Sequence, residues 1–406
     1  MPTTELNIAA QLAAITGAEQ VRSNEDTVTV SPANSQQVSE VLRYANNNHL
    51  TVTPVGGNTK EFWGNSTKTN IRLELTRLNR VIEHPWQDLT CTVQAGCTWQ
   101  HLQETLKRHG QFVALDPLWP ERATVGGILA TNDSGALRHR YGGLRDLVIG
   151  MTLVLADGTI ARSGGKVVKN VAGYDLCKLL TGSLGTLAII TEATFRLHPL
   201  PQHTQTFSVS APQAQRLAPL MASIRASQLL TQALQLRGDT NGFHLDIQLN
   251  AHPEAHQENI LARTAEAASL KLESASGEIW RARETLLMKS GGLVLKATML
   301  PEDVPAFAQE VNENDGQSIT QSLGIMYASF PDGELPFKLA EEFRYHVGLQ
   351  GRTTLLLSTP PSSSEVETWA FTSEGERPNT LPLMQAIKHQ FDPNRTLNPG
   401  RFLGGI

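Results

Sequence analysis

The stretch TVTPVGGNTK, residues 51–60, decides the fold of this chain. It predicts a short β-strand, Thr51 to Val55, that runs directly into the Gly56-Gly57 pair followed by Asn58 and Thr59. Backbone N–H groups converge on an anion only where the chain adopts unusual φ/ψ values and no Cβ blocks the approach. Glycine meets both conditions, and asparagine is the other residue that best tolerates positive φ. Taken alone, the pattern fits a tight turn at a strand exit more often than an anion site.

Two further glycine clusters change this balance. Asp116-Pro117 leads to Thr124-Val125-Gly126-Gly127 and then to Asn132-Asp133-Ser134-Gly135, while the third cluster is Gly182-Ser183-Leu184-Gly185-Thr186. A helix that begins at Gly126 or Gly127 would direct the positive end of its dipole at an anion. The chain contains neither a G-x-G-x-x-G opening a βαβ unit nor a G-x-x-x-x-G-K-[ST] loop. The sequence therefore argues against NAD(P) and ATP sites of those two classes, and a different dinucleotide-binding fold is needed.

Composition limits the classes of protein that remain. A chain of 406 residues predicts two to three domains, since domains run to about 100–200 residues. A net charge of −5 gives no electrostatic case for a nucleic-acid partner. The three cysteines, Cys91, Cys97 and Cys177, fit neither a disulfide framework nor a zinc ribbon, and they indicate buried thiols in a reducing compartment. Without a signal-like N-terminus or a long apolar run, the sequence predicts a soluble, cytoplasmic protein.

The breaker Pro199-Leu200-Pro201 predicts a domain boundary. Strands that alternate with helices precede it, and the strands with a period of two that follow it are typical of an α+β cap with an antiparallel sheet. The sequence therefore predicts three parts: residues 1–201, a cap domain at 202–380, and a C-terminal helix and tail at 381–406 that pack back on the first part.

Local signals in the first part predict individual elements. One helix is predicted to be capped at Asn34 or Ser35 and another at Thr98, because their side chains accept hydrogen bonds from free N–H groups. Residues 151–162 predict a hairpin whose turn has two residues, Asp157-Gly158.

These motifs resemble a known family. Residues 54–59, 116–135 and 169–192 resemble, in order, the two pyrophosphate loops and the closing segment of the vanillyl-alcohol-oxidase-type (PCMH-type) FAD-binding domain. The tail at 391–402 is similar to the C-terminal signature of flavin-linked 2-hydroxy-acid dehydrogenases. Within that group, the Lys169–Asp175 block and the short cap are most similar to the smaller FAD-binding subunits of bacterial glycolate oxidases. The resemblance implies an α+β protein: a two-lobed FAD-binding domain, an antiparallel cap, and a tail that returns to the FAD-binding domain.

The resemblance also implies which residues hold FAD. Gly56, Gly57, Asn58 and Thr59, with Thr124, Gly126 and Gly127, would hold the pyrophosphate. Asn132 and Gly135 would lie beside it toward the flavin, Ile189 and Ile190 would meet the adenine, and Asn398 would approach the isoalloxazine ring. The same segments add Pro54, Val55, Lys60, Pro117, Val125, Thr131, Ser134, Gly182 and Gly185. Two residues depart from the family pattern: Lys60 replaces a serine, which its charge makes tolerable at an anion site, and Asn58 replaces a glycine.

No catalytic residue is evident. Relatives that oxidise 2-hydroxy acids carry a histidine cluster in the cap, often with a metal, and this sequence shows no counterpart and predicts no metal site. His252 and His256 indicate a solvated turn, and His198 and His203 lack ligand spacing. His139 is the best histidine for a place near the flavin or an acid substrate, although a solvated basic turn explains it equally well. For Tyr174-Asp175 a hydrogen-bonded structural pair is favoured over an acid/base couple.

Three functions therefore remain open. The first is the FAD-binding subunit of a glycolate (2-hydroxy-acid) oxidase complex, with a catalytic FAD subunit and an iron–sulfur subunit as partners, through which any membrane association would come. The second is a self-sufficient FAD-dependent 2-hydroxy-acid dehydrogenase. The third is a scaffold subunit that has lost its flavin.

Overall fold

The structure, a computed structural model, describes residues 2–24, 26–166, 174–250, 256–289, 292–321, 324–349, 354–358, 368–370 and 380–406. The chain packs as two compact units. Unit 1 comprises residues 1–134, 143–200 and 379–406, and unit 2 comprises residues 135–142 and 201–378. These limits lie within two residues of the predicted boundaries at 201/202 and 380/381, but the packing of segment 135–142 with unit 2 has no counterpart in the sequence prediction.

Unit 1 contains two main sheets. Their strands are β1 Val21–Asn24, β2 Thr27–Val30, β3 Val52–Val55, β4 Ile71–Glu74, β5 Val81–Glu83, β6 Thr90–Gln94, β7 Gln111–Phe112, β8 Val148–Val154, β9 Ile160–Gly164, β10 Ile189–Arg196 and β11 His198–Pro199. The first sheet has the order β1-β2-β4-β3, with β2, β4 and β3 parallel. The second has the order β5-β6-β10-β8-β9 and is antiparallel, while β7 and β11 form a separate pair.

Helices alternate with these strands along the chain. Along the chain these are α1 Pro2–Thr16, α2 Ser35–Asn47, α3 Trp99–Lys107, α4 Val125–Thr131, α5 Arg138–Tyr141, α6 Leu144–Leu147 and α7 Leu176–Leu180, of which α5 belongs to unit 2. Both predicted caps are confirmed: Asn34 accepts from the Gln37 N–H, and Thr98 accepts from the His101 N–H. Helix α1 was not predicted.

The hairpin β8–β9 is confirmed, but its predicted two-residue turn is wrong. Val154 pairs with Ile160, and the Leu155 N–H still bonds the Thr159 carbonyl at 2.9 Å, which leaves a three-residue loop. A two-residue type I′ turn needs positive φ at both central residues, and here only Gly158 has it, at +86°.

The described residues of unit 2 form one antiparallel sheet of nine strands. In chain order these are β12 Thr204–Ala211, β13 Thr231–Asp239, β14 Gly242–Asn250, β15 Glu273–Ser274, β16 Leu293–Thr298, β17 Gln317–Gln321, β18 Ile325–Phe330, β19 Thr354–Ser358 and β20 Trp369–Ala370. Its spatial order is β15-β12-β14-β13-β17-β18-β16-β19-β20. The associated helices are α8 Ala218–Ala226, α9 Gln257–Ala267, α10 Ala282–Lys289, α11 Val304–Glu313 and α12 Glu334–Leu349. The predicted α+β fold with an antiparallel second domain is confirmed.

Unit 1 ends with helix α13, Leu381–Phe391, and the tail that follows it. Across the described ranges, no helix combines the length and the hydropathy that a membrane span requires. The three thiols are buried, and burial raises the pKa of Cys91 to about 12 and that of Cys97 to about 11, so both stay protonated at neutral pH.

Candidate active site

The loop after β3 presents a row of backbone donors. Gly56 and Gly57 lie directly against residues 122–124: an added Cβ would stand 2.1 Å from Thr124 Oγ1 at the first and 1.7 Å from the Arg122 carbonyl oxygen at the second. Asn58 adopts a φ of +55°. No N–H group of residues 56–59 donates a backbone hydrogen bond to a described residue. Four adjacent donors therefore remain for a ligand, and the glycines are required by the packing beneath them.

The second loop contributes less than its sequence predicts. Helix α4 begins at Val125, with Thr124 as its cap, and not at Gly126 or Gly127. The N–H groups of Val125 and Gly126 already donate to the carbonyls of Cys97 and Ala95, at 2.9 and 2.7 Å. The Gly127 N–H has only a long bond of 3.4 Å to Thr124 Oγ1. These two bonds therefore hold the start of α4 against the turn that follows β6, and Gly127 is its available donor.

The third loop contacts the other two. The N–H groups of Gly182 and Leu184 donate to the carbonyls of Leu129 and Ala130 at 2.9 and 2.8 Å, which ties the loop to α4. Gly185 has a φ of +70°, and a Cβ there would lie 2.7 Å from Pro54 Cγ. The three glycine loops thus contact one another, although more than 120 residues separate the first from the third.

These loops surround one crevice within unit 1. Of the predicted cofactor residues, those that line it are Pro54, Val55, Gly56, Gly57, Asn58, Thr59, Lys60, Thr124, Gly126, Gly127, Thr131, Gly185, Ile189, Ile190 and Asn398. The lining also includes residues that the sequence reasoning missed: Thr53, Glu61, Leu75, Ala95, Ala130, Ser183, Leu184, Ala188 and Arg401. Most of these are neighbours of predicted residues along the chain, so the motifs locate the crevice but not every side chain in it.

Six predicted residues lie outside the lining. Pro117, Val125 and Ser134 are buried. Asn132 and Gly182 face each other, since a Cβ on Gly182 would lie 3.2 Å from Asn132 Cβ. Gly135 belongs to the segment that packs with unit 2. A contact between any of these residues and FAD stays a prediction, as do the other assigned contacts.

Lys60 does not offer a free charge to the crevice. Its Nζ lies 3.1 Å from Asp133 Oδ2, and the two side chains are only 4% and 0% exposed. Asp133 Oδ2 also accepts the Leu118 N–H at 2.8 Å, and the Lys60 ammonium lies 5.7 Å from the Trp119 ring centroid. The residue that departs from the family pattern is therefore half of a buried ion pair that joins three segments of the crevice wall.

The C-terminal tail forms one wall of the crevice. Buried Asp392 accepts the Thr396 and Leu397 N–H groups at 2.8 and 2.7 Å, and its Oδ2 lies 2.6 Å from Lys388 Nζ. The tail then bonds to β3, because the Asn398 N–H donates to the Val52 carbonyl at 2.9 Å. Burial lowers the pKa of Lys388, and the nearby Asp392 opposes that shift.

None of the described catalytic candidates lines the crevice. His139 sits on α5, where burial first and then Arg225 and Arg140 lower its pKa. Asp175 caps α7 and pairs with Lys178, while Tyr174 is 93% exposed, so the predicted Tyr174–Asp175 hydrogen bond does not form. His198 begins β11, His203 directly precedes β12, His256 precedes α9, and His252 and residues 169–173 lie outside the described residues. No histidine lines the described crevice.

The crevice fits FAD on its own chemistry. Four N–H donors suit a diphosphate, and the apolar side chains of Leu75, Ala95, Ala188, Ile189 and Ile190 suit a flat heteroaromatic ring. Two buried lining oxygens, Thr53 Oγ1 and Asn398 Oδ1, have no hydrogen-bond partner among the described residues. The Asn398 oxygen can accept a hydrogen bond from a ligand, and the Thr53 hydroxyl can donate or accept one.

Comparisons with known proteins agree with this chemistry. Residues 27–164 match the FAD binding domain family, and residues 367–402 match the C-terminal domain of FAD linked oxidases. The chain is 30% identical to mitochondrial D-lactate dehydrogenase [cytochrome] of Arabidopsis thaliana, over 66% of this chain and 45% of that one. It is 33% identical to the glycolate oxidase subunit GlcD of Bacillus subtilis, over 53% of this chain and 46% of that one. It thus spans less than half the length of these two relatives.

Other relatives are covered almost completely. The chain is 28% identical to D-lactate dehydrogenase of Archaeoglobus fulgidus, over 94% of this chain and 92% of that one. Among solved structures, p-cresol methylhydroxylase with substrate bound superposes with a TM-score of 0.71 at 16% identity, over 98% of this chain and 96% of that one, which shows a shared fold. The chain therefore contains an FAD binding domain and a C-terminal domain of FAD linked oxidases, shares the fold of p-cresol methylhydroxylase, and has FAD as its cofactor.

Proposed function

We propose that this chain is an FAD-dependent dehydrogenase that oxidises a 2-hydroxy acid to the 2-oxo acid. The single observation that carries the proposal is the meeting of three glycine loops and the C-terminal tail around one crevice. The named substrates of the relatives, D-lactate and glycolate, are small 2-hydroxy acids and supply the substrate class. The fit of the crevice to FAD argues against the flavin-free scaffold.

The residues of unit 1 have distinct parts in this reaction. Bound in the crevice, FAD would supply the two-electron acceptor that oxidation of a hydroxyl to a carbonyl requires, and the hydroxyl proton would be released to solvent. The N–H groups of residues 56–59 hold its diphosphate, and Asn398, fixed by its Nδ2 bond of 2.8 Å to the Leu184 carbonyl, orients the cofactor from the tail side. The Lys60–Asp133 pair holds the segments that contain these two residues in fixed positions beside the cofactor.

The experiment is anaerobic incubation of the purified full-length chain with D-lactate, glycolate or D-2-hydroxyglutarate. Reduction of the flavin is measured as the loss of its oxidised-state absorbance. The matched control is 3-hydroxypropionate, whose hydroxyl is not adjacent to the carboxylate. We expect at least one 2-hydroxy acid, and not the control, to bleach the flavin. A flavin-loaded chain that none of them reduces would overturn activity of the chain alone.

A second candidate is the flavin-bearing subunit of a glycolate oxidase complex. It is favoured by the lack of a histidine in the described lining of the crevice and by the subunit named among the relatives. In that case activity would appear only after addition of a catalytic FAD subunit and an iron–sulfur subunit. Co-purification from the native source, followed by the same bleaching assay, separates the two candidates.

A further inference from the structure

The charges that line the crevice do not balance. Lys60 is neutralised by Asp133. Glu61 faces two cations: Arg72 Nη1 lies 2.5 Å from Glu61 Oε1, and Arg401 Nη2 donates to the Glu61 carbonyl. Arg72 first and Arg401 more weakly lower the pKa of the Glu61 carboxyl, so this group stays ionised. The trio of Glu61, Arg72 and Arg401 therefore keeps one net positive charge.

Arg401 holds that charge at the end of the first glycine loop. The residue lines the crevice and is only 9% exposed. Its backbone is fixed from both sides, because its N–H donates to the Asn398 carbonyl at 3.2 Å and its own carbonyl accepts the Asn65 N–H at 2.9 Å. Its Cγ would lie 3.3 Å from a Cβ placed on Gly64. The guanidinium therefore has little freedom to move away from the loop.

A buried guanidinium is costly unless an anion pairs with it. The diphosphate of FAD carries two negative charges, and arginine recognises phosphate oxygens with short, charge-assisted hydrogen bonds. The N–H groups of residues 56–59, which suit the same anion, line the same crevice a few residues before the Glu61 carbonyl that Arg401 contacts. A substrate carboxylate is the competing anion, but it would not use this row of four N–H donors.

We propose that Arg401 is the cationic partner of the FAD diphosphate, so that docking of the tail and retention of FAD are coupled. This inference rests on the FAD-binding part of the proposed function and not on the identity of the substrate. The C-terminal signature then has a second role beside that of Asn398. The tail supplies the positive charge for the diphosphate, because the charge of Lys60 is already paired with Asp133.

The test measures the affinity of the purified full-length chain for FAD and for riboflavin, which lacks the diphosphate. Arg401→Met should weaken FAD binding about tenfold or more, since a hydrogen bond to a charged group contributes about 1.5–3 kcal/mol. Arg401→Lys should recover part of that loss. Arg395→Met is the matched control, because it removes an exposed arginine from the same tail and should change FAD affinity less than twofold. Riboflavin affinity should be the same in all four proteins.

Each other result overturns the inference. Equal losses for FAD and riboflavin would place Arg401 against the ring or ribityl chain. Unchanged FAD affinity with a raised KM for the hydroxy acid would assign it to the substrate carboxylate. If Arg401→Met does not fold, wild type and Arg401→Lys decide: FAD affinity must fall with added salt in both, more steeply than riboflavin affinity, and a flat response contradicts the proposal. Failure of the proposed function would appear separately, as a chain that binds FAD normally but is reduced by no 2-hydroxy acid.

Discussion

Gly57 was predicted correctly as a residue of the crevice, but the sequence gives only one of the two reasons why glycine is needed there. The sequence predicts that glycine is needed there so that N–H groups can approach phosphate, whereas the structure adds that a Cβ would collide with the Arg122 carbonyl at 1.7 Å. That carbonyl is 65 residues away along the chain, so no local pattern could indicate it. The same limit applies to Lys60, whose partner Asp133 is 73 residues distant and whose charge appeared available to an anion.

Replacing Gly57 by valine should therefore disturb two loops at once. The Cβ would force residues 56–59 away from residues 122–124, so we expect loss of most bound FAD and a lower melting temperature. Flavin content per mole of purified chain and thermal unfolding followed by circular dichroism measure the two effects. Gly277→Ala is the control, because a Cβ at Gly277 meets nothing within 4 Å. Full flavin occupancy in the valine variant would contradict this account.

Replacing Lys60 by methionine should leave the Asp133 carboxylate buried without its cation. Breaking a buried pair from one side costs about 3–5 kcal/mol of unfolding free energy. Urea unfolding of Lys60→Met measures that loss, and adding Asp133→Asn in the same chain should recover part of it. Lys271→Met, which removes an exposed pair with Glu273, should leave the free energy of unfolding nearly unchanged, because solvent screens that pair. Equal effects of the two lysine variants would show that the buried pair does not stabilise the wall.

His139 makes stability depend on pH in a defined direction. Burial lowers its pKa below the ordinary 6.5, so between that lowered value and 6.5 the unfolded chain binds more protons than the folded chain. Folded-state stability is therefore lost as the pH falls through this window, by up to about 1.4 kcal/mol per pH unit. His139→Gln should flatten the dependence in urea titrations at pH 7.5 and 5.5. An unchanged slope would mean that other groups set the acid limit.

At the scale of elements, helix caps and strand periodicity were predictable from the sequence. The geometry of turns and the tertiary contacts of the tail were not. Asn34, Thr98 and the alternation of β14 depend on neighbours within a few residues, and the structure confirms them. The turn of β8–β9 was misjudged because Asp157-Gly158 fits both a two-residue and a three-residue loop. The tail was recognised only by resemblance, since Lys388, Asp392 and β3 meet through tertiary contacts.

The tail after α13 is fixed by Asp392, and its removal should release the whole segment. Asp392→Asn would lose the buried partner of Lys388 and weaken two backbone bonds, at a cost of about 3–5 kcal/mol. Since Asn398 and Arg401 depend on the same segment, FAD affinity should fall with stability. Glu334→Gln breaks an exposed pair of the same i,i+4 spacing and should leave the free energy of unfolding nearly unchanged, because solvent screens that pair. Lower stability with unchanged FAD affinity would separate the tail from the cofactor site.

At the scale of the molecule, the central claim is that segments far apart in the sequence share one ligand. Hydrogen–deuterium exchange with and without FAD tests it directly, because a ligand slows exchange where it contacts or stabilises backbone N–H groups. We expect slower exchange together in residues 56–61, 124–131, 182–190 and 396–402, and no change in α9, which belongs to unit 2. The Gly57→Val variant should lose the effect in all four segments at once, since each contributes to the same crevice. Protection confined to one segment, or shared equally by α9, would contradict a single cofactor site assembled from three loops and the tail.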